Sequence, residues 1–280
     1  MKELLLKDMT TGKNIIWAAE DYKDFQPTDE IIFEDINLIK PRFEKVKEQQ
    51  KFRTKKRAEI FTPAWICNLQ NNFIDEKYFG RTNVFNVSEE KNWTPALEKI
   101  PFDGEKWQEY ILQKRLEITC GEAPYLVSRY DAVTGAEIPI EKRIGLLDRK
   151  FRVVNENTTT ESDWINWAVK AVQSCYGYEF QGDNLYLARR NIFLTFQEYF
   201  ERHFKKKVEL KILKEVAEII SWNLWQMDGL KFTIPFAKVD KGYNMFSNEN
   251  YSAGKIYCEI KDWQTGEIVQ YRHLLKGGFI

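Results

Sequence analysis

"LEITCGEAPYLVSRYD", residues 116–131, is the stretch on which the fold turns. Leu116 and Ile118 have the spacing of a buried strand, and Gly121 suits a tight turn at its end. A loop that wraps a nucleotide would want a second glycine two residues later, where Ala123 and Pro124 stand. The stretch is either a cofactor loop with an unusual spelling or a strand that ends in an ordinary turn. The flanking sequence decides between them.

Downstream, "TTTESDWINWAVKAVQSC" (158–175) opens with capping residues and an acidic first turn, then places Trp164, Trp167, Ala168, Ala171 and Val172 at helical spacing. "YGYEF" (176–180) follows as a short strand. "DNLYLARRNIFLTFQEYFERHF" (183–204) is a second amphipathic helix, and "ILKEVAEIISWNLWQMDGL" (212–230) a third helix that runs into a strand before Asp228. Strand, helix, strand, helix, strand over 116–230 predicts an α/β domain with a parallel sheet. The gap from Leu126 to Tyr176 exceeds one crossover helix, so an inserted hairpin and strand is expected at "RIGLLDRKFRVV" (143–154).

Upstream, "ELLL", "TTGKN" and "IIWA" read as a hairpin, and residues 29–57 as largely helical. In "TPAWICNLQNNFI" (62–74), Thr62 is placed as an N-cap and Pro63 at the first helical position. Hairpins are expected at 129–140, about Thr134-Gly135, and at 256–272. The expected division is an N-terminal hairpin and basic region (1–56), an α/β cofactor domain (57–235) and a C-terminal hairpin extension (236–280).

Bulk composition limits the function classes. The chain has 280 residues, 43% hydrophobic and 15% aromatic, so a large folded core is expected. Cys67, Cys120, Cys175 and Cys258 form no CxxC pair and only two His are present, so neither a zinc site nor a disulfide framework is expected. No apolar run approaches a membrane span, and the reducing cytoplasm is the expected compartment. Basic and acidic residues balance at 42 each, so nucleic-acid binding would have to be local. "KVKEQQKFRTKKR" (45–57) carries seven basic residues against one acidic. Lys51, Arg53, Lys55, Lys56 and Arg57 are its candidate phosphate contacts, against the plainer reading of a solvated helix face.

In parallel sheets ligands sit beyond the carboxyl ends of the strands. The three expected strands end in Cys120-Gly121-Glu122-Ala123, in Glu179-Phe180 and in Asp228-Gly229. A carboxylate at the second end can accept from both ribose hydroxyls of an adenosine, and one at the third from an adenine amine.

These segments resemble a known family, the adenine-N6 DNA methyltransferases of bacterial restriction–modification systems. "RAEIFTPAWICNLQ" (57–70) is similar to their Phe-Thr-Pro cofactor motif, "LEITCGEAPYL" (116–126) to their glycine motif, "YGYEFQGDNLYLARRNI" (176–192) to their acidic strand and helix, and "ISWNLWQMDGL" (220–230) to their third strand. The resemblance covers 57–230. It implies a partial Rossmann-like methyltransferase core that binds S-adenosylmethionine through Phe61, Thr62, Pro63, Glu117, Cys120, Gly121, Glu179, Phe180 and Asp228, with DNA as partner. Ala123 stands where the family has small residues, commonly glycine.

The family's amine-orienting Asn/Asp-Pro-Pro-aromatic tetrad does not occur in this sequence. "TIPF" (233–236) shares only Pro235-Phe236 with it and follows Asp228 after four residues. The expectation is a cofactor half that needs a second chain for catalysis. A non-catalytic DNA- or partner-binding module is the alternative. An outside reading is a Mg²⁺-dependent nuclease built on Asp240, Glu259 and Lys261, whose plainer explanation is alternating charge on an exposed hairpin.

Overall fold

The computed structural model describes residues 1–237 and 256–276. In chain order the helices are α1 (Lys47–Arg57), α2 (Ala64–Phe79), α3 (Lys106–Leu112), α4 (Leu146–Asn157), α5 (Glu161–Gln173), α6 (Gly182–Phe204), α7 (Leu210–Asn223) and α8 (Tyr271–Lys276). The strands are β1 (Asn86–Glu89), β2 (Asn92–Pro95), β3 (Arg115–Glu117), β4 (Cys175–Glu179), β5 (Leu224–Gln226), β6 (Glu259–Lys261) and β7 (Ile268–Gln270).

The chain is α/β, built on a three-stranded parallel sheet in the order β3-β4-β5. Every residue of the central strand β4 is buried, as expected where a parallel sheet is covered on both faces. On one face α5, α6 and α7 pack against β4, with Trp164, Phe196 and Phe200 fully enclosed. On the other, Tyr176, Tyr178 and Trp225 pack against Cys258, Ile260 and Tyr271 of the antiparallel β6–β7 hairpin and the start of α8. The second small hairpin, β1–β2, lies against α2.

Local chemistry accounts for the helix starts. The Thr160 hydroxyl accepts the Asp163 N–H at 3.1 Å and caps α5. Gly177, in the middle of β4, leaves room for Cys120: a Cβ there would stand 3.3 Å from its Sγ.

Leu116 and Ile118, expected on a buried strand, are exposed: β3 is the edge strand of the sheet and ends at Glu117, so Ile118 lies beyond it. Four further expectations need correction. Residues 143–154 form no hairpin or strand but lead into α4, because Asp148 Oδ2 accepts the Gly145 N–H at 3.2 Å and Leu147, Phe151 and Val154 share one buried helical face. Helix α2 starts at Ala64 with Pro63 as its cap position, and Asp131 Oδ2 rather than Thr62 takes the Ala64 N–H, at 2.7 Å. Residues 29–46 hold only 3₁₀ turns (Phe33–Leu38, Arg42–Glu44), leaving α1 as the single α-helix of 29–57.

The fourth concerns residues 1–56. "LLL" is a 3₁₀ turn and the expected hairpin reduces to a Lys7–Asn14 bridge. Nor is the region a separate unit. Leu5, Leu6, Ile15 and Trp17 enter the same core as Leu185 and Phe196. The Gln226 side-chain amide clasps the Ile16 N–H and C=O, at 2.8 Å each, and the Ser221 hydroxyl donates to Leu4 O at 2.7 Å. The expected turns at Gly135 (φ +76°, beside the Tyr130–Glu137 bridge) and between β6 and β7 are present. No helix among the described residues is long and apolar enough to cross a membrane.

Candidate functional site

The carboxyl ends of β3 and β4 lie side by side because the strands pair in register, Glu117 opposite Gly177. From β3 the chain enters a turn fixed by the Cys120 N–H donating to Tyr178 O at 2.9 Å and the Ala123 N–H donating to Cys120 O at 2.7 Å. Thr119, Gly121 and Ala123 all have positive φ, at +46°, +54° and +63°. An L residue in that region costs about 1–2 kcal/mol, so Ala123 occupies a position where glycine would be unstrained. Pro124 follows with no N–H to offer.

Three buried carboxylates gather at this turn: two grip its backbone, and the third, Glu122, ties it to neighbouring segments. Glu179 Oε2 accepts from Gly121 N at 2.9 Å, and its Oε1 from Phe180 N and Gln181 N at 3.0 and 3.1 Å. Glu117 accepts from Tyr125 N and Leu126 N at 3.3 and 3.1 Å. Glu122 accepts from Arg42 N at 2.7 Å and from the Tyr130 hydroxyl. Burial pushes all three carboxyls up, Glu117 to about 8 and Glu122 to about 7, against N–H donors that favour the charged form. Burial likewise pushes the Cys120 thiol well up, which leaves it an inert core group.

Phe61 reaches the same place from the segment between α1 and α2. A Cβ built on Gly121 would stand 3.3 Å from its Cζ, and the Arg42 guanidinium lies 5.4 Å from the centre of the Phe61 ring. Phe180 contacts the edge of Phe236 at 5.6 Å and lies under Arg57 at 5.8 Å. Phe61, Glu117, Cys120, Gly121, Glu179 and Phe180, expected from separate segments, thus meet around one turn. Thr62 and Pro63 join Phe61 to α2, with Thr62 O accepting from Cys67 Sγ.

Asp228 is engaged in its own turn. Its carboxylate accepts from the N–H groups of Leu230 and Lys231 and pairs with the Lys231 ammonium at 2.9 Å. Burial opposes its charge, but these partners hold the carboxyl below its usual range.

The basic run is divided by the fold. Arg53 is fully buried and is no surface contact: it bonds Asp183 at 2.7 Å, Asp21 at 2.7 Å and Glu59 at 3.1 Å. Lys45 joins the same Asp183 at 2.9 Å. Burial opposes the Asp183 charge, yet Lys45 and Arg53 hold its carboxyl far below the usual range. Arg57 pairs with Glu20 at 2.8 Å. Lys51, Lys55 and Lys56 remain exposed on α1. Only these three keep the form of phosphate contacts.

Two features lay beyond sequence reasoning. Glu122, the third carboxylate on the turn, and its partners Arg42 and Tyr130 belong to no spacing pattern. A cleft of about 490 Å³ opens at the far end of α6, among Trp93, Arg143, Arg149, Arg152 and Arg202. Its arginines pair with Glu198, Asp75, Glu156 and Glu141, so their charge is largely neutralised.

Among the described residues no group of three His, Cys, Asp or Glu side chains is placed to hold a metal ion. Glu259 and Lys261 lie in β6, and Asp240 lies outside the described residues. Comparison with family models, with curated proteins and with solved structures gives no match.

Proposed function

We propose that this chain is the cofactor-binding part of a DNA adenine-N6 methyltransferase of restriction–modification type, with a partial Rossmann-like core that takes S-adenosylmethionine beyond the ends of β3 and β4. The observation that carries the reading is the meeting of Phe61, Gly121 and Glu179, which come from three separate motifs in the sequence. The residues suit such a group in two respects. Glu179 is an acceptor-only carboxylate at a strand end, able to bind ribose hydroxyls. Gly121 brings a backbone without a Cβ to the same point, which permits close approach by a ligand. Asp228, tied to Lys231, supports the reading least.

The sequence has no Asn/Asp-Pro-Pro-aromatic element. Orienting the target amine is a separate requirement from holding the methyl donor, so this chain binds cofactor without turnover unless a second chain supplies that group. DNA would be contacted through Lys51, Lys55 and Lys56. The second reading, a non-catalytic module of the same descent, draws on the same absence.

Calorimetry on the purified chain tests the cofactor site. Heat of binding with S-adenosylmethionine or S-adenosylhomocysteine is expected, weakened by about 1.5–3 kcal/mol in Glu179→Ala. No binding at about 1 mM ligand, an affinity near −4 kcal/mol, sinks the reading.

A further inference from the structure

The resemblance gives Phe61 the role of holding cofactor, but its position suits exclusion. Gly121 leaves its turn open on the side where a side chain would project, and the Phe61 ring fills that side, 3.3 and 3.4 Å from the missing Cβ. The Phe61 ring is itself buried there, under the Arg42 guanidinium. Glu179 has three N–H partners, one of them from Gly121. A ligand that uses the carboxylate and the glycine backbone competes with both arrangements.

The segment carrying Phe61 has the build of a moving element. Between α1 and α2 it is neither helix nor strand. It leaves α1 through Ala58 at φ +51°, is pinned at the buried Glu59 by Arg42, Arg53, Gln181 and Asn184, and enters α2 through Pro63. A backbone change would therefore fall on the residues between Glu59 and the start of α2. Ile60, next to Phe61, is 76% exposed and offers little resistance to displacement. The turn beneath is also held under constraint, with Thr119 and Ala123 in a conformation that L residues adopt only when their surroundings enforce it.

We infer that residues 60–63, beyond the anchored Glu59, form a lid over the proposed cofactor site and that Phe61 is its plug, lying on Gly121 when closed and swinging away to admit a nucleoside ligand. This rests on the cofactor reading above. It reverses the sign of the Phe61 contribution: removing the ring strengthens ligand binding. When the binding-competent state is only partly populated, apparent affinity falls by the open fraction. A lid closed about nine-tenths of the time therefore weakens binding about tenfold.

Two measurements on wild type, Phe61→Ala and Phe61→Leu test the lid. Amide exchange in a peptide spanning 117–126 reports the turn without ligand, and faster exchange is expected in Phe61→Ala, by about tenfold, with Phe61→Leu between. Calorimetry with S-adenosylhomocysteine is expected to show binding tightened by about tenfold in Phe61→Ala and by a smaller factor in Phe61→Leu. Where Phe61→Ala does not unfold cooperatively, the leucine variant carries both comparisons. Unchanged exchange overturns the lid. Ligand affinity that is equal or weaker in the variants also overturns it and leaves the cofactor reading standing. Binding by none of the three proteins overturns the cofactor reading, and the lid with it.

Discussion

The Glu179 carboxylate accepts the Gly121 N–H at 2.9 Å, tying the end of β4 to the turn that follows β3. With Phe180 and Gln181 it satisfies three backbone donors at once. Glu179→Ala is expected to strand these donors in the interior and destabilise the fold by about 2–4 kcal/mol, since hydrogen bonds to charged groups are worth about 1.5–3 kcal/mol. Chemical denaturation measures it, and a loss under about 0.5 kcal/mol, typical of a neutral surface change, refutes the tie.

The carboxyls around the turn give stability a definite pH dependence. Glu117 and Glu122 titrate at about 8 and about 7 in the fold, above their ordinary value of 4.5. The folded state then binds more protons than the unfolded one between pH 4.5 and 8, so their contribution is complete below that window and is lost as pH rises through it. Unfolding free energy is expected to decline from pH 5 to 8, and Glu117→Gln should flatten the decline. Lys150, lowered to about 8 by burial, acts in the opposite sense only above that window. A stability that rises across pH 5–8 contradicts the assignment.

The ion pairs beneath α1 separate structural from surface charge. Arg53→Ala leaves Asp183, Asp21 and Glu59 without their shared partner and is expected to cost about 3–5 kcal/mol. Replacing Lys51, Lys55 and Lys56 together by alanine should leave the melting temperature within about 2 °C and, if α1 faces DNA, lower the salt dependence of DNA binding. An equal loss of stability from both sets of changes is the contrary result.

Ala123 offers a stabilising substitution. At φ +63° its strain of about 1–2 kcal/mol outweighs the added chain entropy of glycine, about 0.5–1 kcal/mol, so Ala123→Gly should raise stability by up to about 1 kcal/mol. Ala123→Val, β-branched in a fully buried position, should be strongly destabilising. Thermal unfolding of the two variants decides, and a destabilised glycine variant shows that the turn is not strained.

Methyl transfer tests the proposed reading that a second chain supplies the amine-orienting group. The purified chain should transfer no labelled methyl groups to mixed-sequence DNA, since no residue pattern in the sequence orients a flipped adenine amine. Robust transfer that disappears in Glu179→Ala would reverse this, with Phe236, in contact with Phe180, the first residue to examine.

The parallel sheet was legible because its signals are local: Cys175 to Glu179 is short, apolar and bounded by the capped α5 and the long α6, so length and periodicity agree. Phe61, Gly121 and Glu179 were legible as candidates through motif order, although only the fold shows that the ring lies on the glycine. The basic run misled because charge alone does not report depth. Arg53 is enclosed by acids 32 residues before it and 130 residues after it in the chain. α4 was missed because "RIGLLDRKFRVV" mixes β-branched and charged residues, and its start depends on an Asp148 side chain folding back on Gly145.

The grip of Gln226 on Ile16 spans 210 residues, and that of Ser221 on Leu4 spans 217. At about 5–20 residues per second of synthesis, the segment around Leu4 to Trp17 waits about 10–40 s on the ribosome before its partners emerge. During that interval Leu5, Leu6, Ile15 and Trp17, all buried in the finished fold, have no β5 or α7 to cover them. Closure of so long a loop comes late and slows folding. The nascent chain therefore passes through a period when the segment around Leu4 to Trp17 is a ready substrate for chaperones.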